Sequence, residues 1–385
     1  MRILIITDIP TSPITGGARK IISLYSNLFK SWGHEVHFLC VNKFNMRKKY
    51  RVDIKQAFAA TKKEWGQYYH QYDYSLWENI YSNVKIIFSK LFHNDYRKCD
   101  DIYPRGLTSE VVDLLHKYDI EAVIVNHFYL SKVLEAIPLK RKALFTHDSF
   151  SMYKKSKSKQ AAYYLMPKEE KIALNRAPYI FAMQSVEADY FRTLVPNNTI
   201  LINYCNHEFH PQPIVGNHNI LFFSGEHKFN IDGLVWFIEN VFSLIKNRFP
   251  DVKLLIGGEI CNALKGYDNR DNIELVGKIE EPESFFLRGD VAINPCRLGT
   301  GLKIKTFESV SYDKVTMVHS NSLVGIYKEE DAPIFSSSNP IEWVEYLDKI
   351  WSNRHEIAEI KAKNQTYIRD MNDFIKGQYK IWLEG

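Results

Sequence analysis

Short apolar runs alternate along this chain with segments in which apolar residues recur every three or four positions. Residues 2–7 are rich in isoleucine and predict a strand buried on both faces, and residues 19–32 predict the helix that follows it. Further apolar runs at 121–126, 142–146, 219–224 and 252–257 repeat this pattern. Alternation of strand and helix is typical of α/β proteins with parallel sheets, so we predict an α/β fold.

The alternation occurs twice, and a polar segment with two prolines, residues 210–217, lies between the two copies. Such a segment is typical of a linker. We therefore expect two doubly wound, Rossmann-like domains facing each other across a cleft, with the first domain at 1–208 and the second at 209–366. A cleft between two such domains is the default position for a ligand site.

The stretch from residue 293 to 316 predicts a strand that ends at Pro295, a loop with two glycines, and a helix that begins near Ile304. A loop of this kind directs free backbone N–H groups and the positive end of a helix dipole towards one point. Glycine allows a ligand close to the backbone. The loop residues concerned are Gly299, Thr300, Gly301 and Leu302.

Positive charge gathers around the same loop, from Arg297, Lys303 and Lys305. The combination predicts a site for a phosphate or diphosphate. Glu308 lies one helical turn further on, where its carboxylate could accept hydrogen bonds from a sugar hydroxyl. The alternative is a plain strand–turn–helix connection with solvated lysines.

Polar residues also follow the first-domain strands. Gly16 and Gly17 precede the first helix but do not form a GxGxxG sequence, so a dinucleotide fingerprint is not supported. His127 follows one strand, and His147 with Asp148 follows the next. Because ligands of open α/β sheets bind beyond the carboxyl ends of the strands, we expect these residues to line a site. Each glycine or histidine has a plainer alternative as part of a turn or a capped loop.

Composition limits the possible classes of protein. The five cysteines are widely spaced and form no CxxC pair, which indicates neither a disulfide framework nor a zinc site and favours a cytoplasmic location. No run of about twenty apolar residues predicts a membrane span. No Asp-x-Asp sequence is present, so we expect no bound metal and no cofactor.

The charge is uneven. Lys and Arg outnumber Asp and Glu in residues 1–200, and the reverse holds in residues 201–385. A basic first half suggests an anionic partner. Because no nucleic-acid motif is present, we expect an anionic membrane surface or an acceptor carrying phosphate, and no nucleic acid. Residues 46–81, where basic and aromatic residues are interleaved, could form that contact or could be an ordinary amphipathic core helix.

The pattern from Pro295 to Glu308, P-x-R-x-G-x-G-L-K-x-K-x-F-E, resembles the donor-binding signature of GT-B glycosyltransferases, the retaining, group 1, family 4-like enzymes. The resemblance implies that the glycine loop, Arg297, Lys303 and Lys305 hold the diphosphate of a nucleotide-sugar donor and that Glu308 holds its ribose. It also implies that the donor is bound by four further residues, Gly16, Gly17, Gly225 and Lys228. It places His127 beside the donor sugar, and His147 and Asp148 on the acceptor side. It also implies that the last helix, expected over 367–385, crosses back to the first domain.

The implied activity is the transfer of a sugar to a glycan or lipid-linked acceptor, without a metal ion and with retention of the anomeric configuration. The implied role is surface polysaccharide or glycoconjugate synthesis, by an enzyme that is cytoplasmic or peripheral on the membrane. The chain departs from the better-known signature at Thr300, where that version has a glutamate, and at Glu226, where many relatives have arginine. A non-catalytic partner subunit with this fold is therefore an alternative, and a nucleotide-sugar epimerase is another.

Overall fold

The computed structural model describes residues 1–14, 16–43, 51–92, 98–152, 165–267, 270, 272–299 and 301–385. Its contacts divide the chain into two compact units. Unit 1 contains Met1–Cys205 and Ile375–Gly385, and unit 2 contains Asn206–Phe374. Two of the sequence-based expectations lie wholly or partly outside the described residues. They concern Thr300 and residues 46–50, which begin the basic and aromatic segment at 46–81.

Unit 1 is built on seven strands. They are β1 (Arg2–Thr7), β2 (Glu35–Asn42), β3 (Tyr69–Asp73), β4 (Ala122–Asn126), β5 (Lys142–Phe145), β6 (Tyr179–Ala182) and β7 (Thr199–Ile202). All pair in parallel, in the order β3-β2-β1-β4-β5-β6-β7. The central strands are buried on both faces, as continuous apolar runs require. The sequence did not predict β3, whose alternating polar residues form the edge of the sheet.

Six helices connect or flank these strands. They are α1 (Gly17–Ser31), α2 (Arg51–Trp65), α3 (Leu76–Phe92), α4 (Leu107–Lys117), α5 (Pro167–Leu174) and α6 (Ser185–Leu194). A 3₁₀ segment, Phe128–Ala136, follows β4.

Unit 2 repeats the plan with six strands. They are β8 (Asn219–Phe223), β9 (Lys253–Gly257), β10 (Ile273–Gly277), β11 (Val291–Asn294), β12 (Val315–Val318) and β13 (Ile334–Ser336). They also pair in parallel, in the order β10-β9-β8-β11-β12-β13. The helices are α7 (Lys228–Phe237), α8 (Ser243–Arg248), α9 (Pro282–Phe286), α10 (Ile304–Ser311), α11 (Pro340–Ser352) and α12 (Arg354–Glu384).

The last helix differs from the expectation at its start. The sequence pattern placed its beginning at Tyr367, whereas α12 begins at Arg354 and continues unbroken to Glu384. Its final turns belong to unit 1, as expected for a helix that crosses back to the first domain. There, Tyr379 and Trp382 are fully buried, and the ring of Phe29 lies 5.0 Å and 5.8 Å from their rings.

Both sheets have the strand order of the Rossmann fold. The connections reverse direction between β1 and β4 in unit 1 and between β8 and β11 in unit 2. At such a switch point the two loops that leave the carboxyl ends of neighbouring strands diverge and form a crevice, which is the usual ligand position in these sheets. The predicted fold, two doubly wound Rossmann-like domains, is confirmed. The strand order therefore predicts one ligand-binding crevice in each unit.

Candidate functional site

The unit 2 crevice lies between the loop after β8, residues 224–227, and the loop after β11, residues 295–303. The first loop leads into α7 and the second into α10, so two helices begin at the same edge of the sheet. Helix α7 packs closely on the loop after β11, since a Cβ at Gly233 would lie 2.5 Å from the carbonyl oxygen of Pro295. Only a residue without a side chain permits this approach.

The glycine loop has the conformation that its sequence predicts. Gly299 has a φ of +93°, in the region that favours glycine. Lys303 curls over the loop, and its Nζ donates to the carbonyl oxygens of Gly299 and Gly301 at 3.1 Å and 2.7 Å. Asn321 donates to the same Gly299 oxygen at 3.2 Å. The side chains of Lys303 and Asn321 therefore bind the loop carbonyls.

Lys305 connects the two loops. Its Nζ donates to Oδ1 of Asn230, near the start of α7, and the Asn230 amide donates to the carbonyl oxygen of Gly225 at 3.1 Å. Burial lowers the pKa of the Lys305 ammonium to about 8, with Lys303 lowering it further and Glu308 opposing that effect. A partly desolvated cation between two helix N-termini is an environment that an anionic ligand would stabilise.

The other predicted donor-binding residues of unit 2 differ in their exposure and in their contacts. Arg297 makes a bidentate ion pair with Asp232 of α7, with N–O distances of 2.9 Å and 3.0 Å. Lys228 is exposed and lies 4.9 Å from the ring of Phe229. Gly225 is exposed, and a Cβ built there would meet no atom within 4 Å among the described residues. Glu308 lies within α10, one turn beyond Lys305, and is half-buried.

In unit 1, His127 follows β4 directly, and His147 follows β5 after one residue, Thr146. Their ring centroids lie 4.5 Å apart, so the structure brings together two residues that the sequence separates by twenty positions. Both have a positive φ, 69° and 63°, which is uncommon for residues other than glycine. Backbone strain of this kind is concentrated at functional sites, which favours a role in binding for both residues.

The two imidazoles are neutral at neutral pH because burial lowers both pKa values. The effect is stronger for His147, whose pKa the nearby His127 lowers further, whereas Asp8 raises the pKa of His127. Nε2 of His147 lies 2.8 Å from Oδ1 of Asn126, whose amide nitrogen donates to the carbonyl oxygen of Ile6. This pairing places the proton on Nε2 of His147 and leaves Nδ1 as an acceptor.

His127 is 8% exposed, and neither of its ring nitrogens has a hydrogen-bond partner among the described residues. The nearest carboxylate oxygen, Oδ1 of Asp8, is 3.9 Å from Nε2. Tyr129 donates to the other Asp8 oxygen at 2.7 Å and stacks on the His127 ring. Buried polar groups are nearly always paired, so His127 has the capacity to bind a polar ligand or water.

Gly16 and Gly17 lie where β1 leads into α1. Gly16 has a φ of 84°, both glycines are exposed, and no described side chain caps the helix. The acceptor-side candidate Asp148 follows His147 at the end of β5, next to a loop that a buried carboxylate holds in place. Glu170 accepts hydrogen bonds from Ser149, the Phe150 amide and Ser151.

Sequence reasoning missed three residues that shape these sites. Asp8 and Tyr129 border His127, and Asn230 binds Lys305. Asp8 directly follows β1, so the strand-end rule that indicated His127 also applies to it. Asn230 carries no such signal, because its partner lies 75 residues further along the chain.

Two observations concern metals and membranes. Within the described ranges, no three His, Cys, Asp or Glu side chains are grouped so that they could hold a metal ion. In the same part of the chain, no helix combines the length and hydropathy needed to cross a membrane.

Residues 218–353 match the family model for group 1 glycosyl transferases. A Klebsiella pneumoniae protein, described as an uncharacterized 44.6 kDa protein in the cps region, is 23% identical over 164 residues, which are 40% of this chain and 42% of that protein. The alignment thus spans less than half of the relative.

Solved structures match the whole chain. Sucrose-phosphate synthase from Thermosynechococcus elongatus has a TM-score of 0.66 at 11% identity, with 100% of this chain and 98% of that chain covered. S. aureus TarM, in a complex that includes UDP, has a TM-score of 0.64 at 11% identity, and both chains are covered completely. Anabaena HepE, in complex with UDP, has a TM-score of 0.59 at 11% identity, with 99% and 98% covered. Residues 218–353 thus match the group 1 glycosyl transferases that the sequence resembles, and the chain has the GT-B fold.

Proposed function

We propose that this protein is a retaining, metal-independent glycosyltransferase that moves a hexosyl group from a nucleoside-diphosphate sugar to a glycan or lipid-linked acceptor. The observation that carries the proposal is the position of Lys305 in unit 2. Its ammonium joins the loop after β8 to the helix that follows the glycine loop, and burial has lowered its pKa. A diphosphate at this position would restore the solvation that the ammonium has lost.

The donor diphosphate would accept hydrogen bonds from the first N–H groups of α10, with Lys303 and Lys305 on either side. Lys303 now binds loop carbonyls, and rotation about its side-chain bonds would bring Nζ to a phosphate oxygen. Arg297 would reach the ligand by leaving Asp232. Glu308, one turn into α10, would accept hydrogen bonds from the ribose hydroxyls. We take UDP as the first nucleotide to test, because TarM and HepE were solved with it.

His127 and His147 would act as neutral hydrogen-bonding groups. An uncharged imidazole with at least one unpaired nitrogen, as in both histidines, can exchange hydrogen bonds with sugar hydroxyls without placing a buried positive charge beside the anomeric carbon. We assign His127 to the donor sugar, and His147 with Asp148 to the acceptor. Gly16 and Gly17 leave the start of α1 open to a phosphate or an acceptor group.

In the proposed transfer, the acceptor hydroxyl attacks the anomeric carbon from the face that the diphosphate leaves. The bond between that carbon and the β-phosphate oxygen breaks, a new bond to the acceptor oxygen forms, and the departing phosphate oxygen takes the acceptor proton. Lys303, Lys305, Arg297 and the α10 dipole would stabilise the charge that develops on the diphosphate. We therefore expect no requirement for a divalent metal ion and no cofactor.

The relative encoded in a cps region supports a role in surface polysaccharide synthesis, and we propose that role at the cytoplasmic side of the membrane. A lipid-linked acceptor would bring the enzyme to the membrane surface.

The test measures the melting temperature of the protein with UDP, GDP and ADP and with the sugar conjugates of each. A ligand at one hundred times its Kd stabilises the native state by about 2.7 kcal/mol, which corresponds to a rise of roughly 5–10 °C in the unfolding of a domain the size of unit 2. We expect one base to give this rise and its sugar conjugate to be consumed when an acceptor is added. If no nucleotide shifts the melting temperature, the protein is better explained as a non-catalytic partner subunit. If the donor is consumed in the absence of acceptor and is not hydrolysed, the protein is an epimerase.

A further inference from the structure

Helix α3 is oriented with its apolar side outward. Seven large hydrophobic residues of this helix are exposed: Leu76, Trp77, Ile80, Tyr81, Val84, Ile87 and Phe88. At 100° per residue they occupy one continuous arc of about 140° on the helix surface. We call this set the α3 apolar face. Trp77 is 79% exposed and Phe88 is 56% exposed.

The opposite side of the helix carries the polar residues Asn79 and Ser82, and these two residues pack into unit 1. Asn79 and Ser82 are buried at 8% and 1% exposure. The side-chain nitrogen of Asn79 donates to the Ser75 carbonyl oxygen at 3.2 Å, so the burial of this nitrogen is compensated. A surface helix normally buries its apolar side, and a large exposed apolar patch on a soluble protein marks an interaction site.

The helix is well anchored, so this orientation is a stable feature of unit 1. Ser75 and Glu78 form a capping box, in which Ser75 Oγ accepts from the Glu78 amide and Glu78 accepts from the Ser75 amide. Glu78 also accepts hydrogen bonds from Tyr72 and from the Gly106 amide. Its negative charge is thus held on the side of the helix that faces unit 1.

The charges at the border of the apolar face are positive. Lys85 Nζ lies 4.8 Å and the Arg105 guanidinium 4.5 Å from the centre of the Tyr81 ring. Both lower the pKa of the Tyr81 hydroxyl through hydrogen bonds. A helix with Trp, Phe, Ile and Leu on one face and cations at its border has the character of an interfacial membrane helix. With 17 residues, α3 suits a position in the plane of the membrane rather than across it.

We propose that the α3 apolar face is a membrane-docking surface, which inserts its hydrophobic side chains at the headgroup level of a bilayer rich in anionic lipid while Lys85 and Arg105 contact the phosphates. This surface is independent of the nucleotide chemistry of unit 2. Binding to vesicles can therefore be measured without donor or acceptor, and its failure would leave the proposed transfer untouched.

The experiment measures flotation of the full chain with vesicles of phosphatidylglycerol or phosphatidylcholine at about 0.1 M salt. We expect the protein to float with phosphatidylglycerol vesicles and to bind phosphatidylcholine less well. The double variant Ile80→Gln/Ile87→Gln should lower the partition coefficient at least about tenfold, because two half-exposed apolar side chains no longer enter the bilayer. Glutamine is a good helix former, so α3 should persist.

The matched control is Ile172→Gln/Ile381→Gln, which alters two isoleucines of unit 1 that are 46% and 47% exposed, compared with 54% and 55% for Ile80 and Ile87. The control should float like the original chain. Equal loss in both double variants, or no flotation of the original chain with anionic vesicles, would overturn the proposal. So would a dimer in analytical ultracentrifugation that the Ile80→Gln/Ile87→Gln variant converts to monomer, since the face would then bind a second copy.

Discussion

Lys305→Met removes the ammonium on which the proposed donor site depends and keeps most of the volume of the side chain. In the structure this ammonium is half-buried and bonded to Asn230, and its pKa is lowered to about 8. A hydrogen bond between a charged donor and a phosphate contributes about 1.5–3 kcal/mol to binding. We therefore expect the Kd for UDP to rise by a factor of roughly 10 to 150 at pH 7.

The lowered pKa adds a dependence on pH that the variant should lack. With a pKa of about 8, about nine-tenths of the Lys305 side chains carry a proton at pH 7 and about one-tenth at pH 9. The affinity of the original chain for UDP should fall by up to about tenfold across this range. The nucleotide's own titration cancels in the ratio of the two dissociation constants, because both proteins meet the same ligand.

The stability of the ligand-free protein separates a binding defect from a folding defect. Because the pKa of Lys305 is lower in the folded chain than the ordinary 10.5, the unfolded chain binds the proton more tightly. The folded state is therefore penalised below about pH 8, by up to about 3 kcal/mol and less where solvent reaches the ammonium. Methionine removes this penalty, so the melting temperature of the ligand-free Lys305→Met protein should be equal or higher.

Calorimetric titration with UDP at pH 7, 8 and 9, together with melting curves, tests these expectations. Lys253→Met is the matched control, because Lys253 is exposed at the amino end of β9, the opposite edge of the same sheet. This control removes one positive charge from unit 2 and should keep the original Kd. The reasoning would be refuted if the Lys305→Met protein bound UDP as tightly as the original chain, or if its affinity still fell between pH 7 and 9.

Three further predictions concern other groups. Glu308→Ala should reduce transfer at least about a hundredfold with little change in melting temperature, because we propose that Glu308 binds the donor ribose, and wild-type turnover would contradict that assignment. EDTA should leave transfer unchanged, and an activity that returns only with Mn²⁺ or Mg²⁺ would contradict the metal-free proposal. Burial lowers the pKa values of His127 and His147, so the unfolded chain binds protons first as the pH falls below about 6.5. The free energy of unfolding should then fall by up to about 1.4 kcal/mol per pH unit for each histidine, and urea titrations of His147→Gln should show a smaller slope.

The strand-end residues could be predicted because the cue is local. An apolar run followed directly by a polar residue indicates a buried parallel strand and the edge at which ligands bind, and both histidines satisfy that rule. Their 4.5 Å separation depends in addition on β4 and β5 being neighbours in the sheet. Strand order is a property of the fold, so the sequence predicts this proximity only once the Rossmann arrangement is assumed.

Hydrogen-bond and ion-pair partners that are distant along the chain could not be predicted from the sequence. Arg297 was expected to be available to a phosphate, yet it pairs with Asp232, which lies 65 residues earlier. Lys305 was expected only to add positive charge around the loop, and its partner Asn230 lies 75 residues earlier. Both partners belong to α7, whose packing against the glycine loop depends on Gly233. A pattern within one loop cannot show which helix covers it.

The orientation of α3 shows a second limit of sequence patterns. A period of 3.6 residues shows that a helix has an apolar side, but it does not show whether that side faces the core. Burial of the apolar side is the usual outcome, because it removes that side from water. In α3 the buried positions hold Asn79 and Ser82, and the capping box at Ser75 and Glu78 fixes the helix in that rotation. Rotating α3 by half a turn would bury two isoleucines but would expose the hydrogen-bonded Asn79 and direct Glu78 away from the Gly106 amide. The outward orientation therefore has a local structural cause, and the apolar area that it leaves in water is what a bilayer would cover.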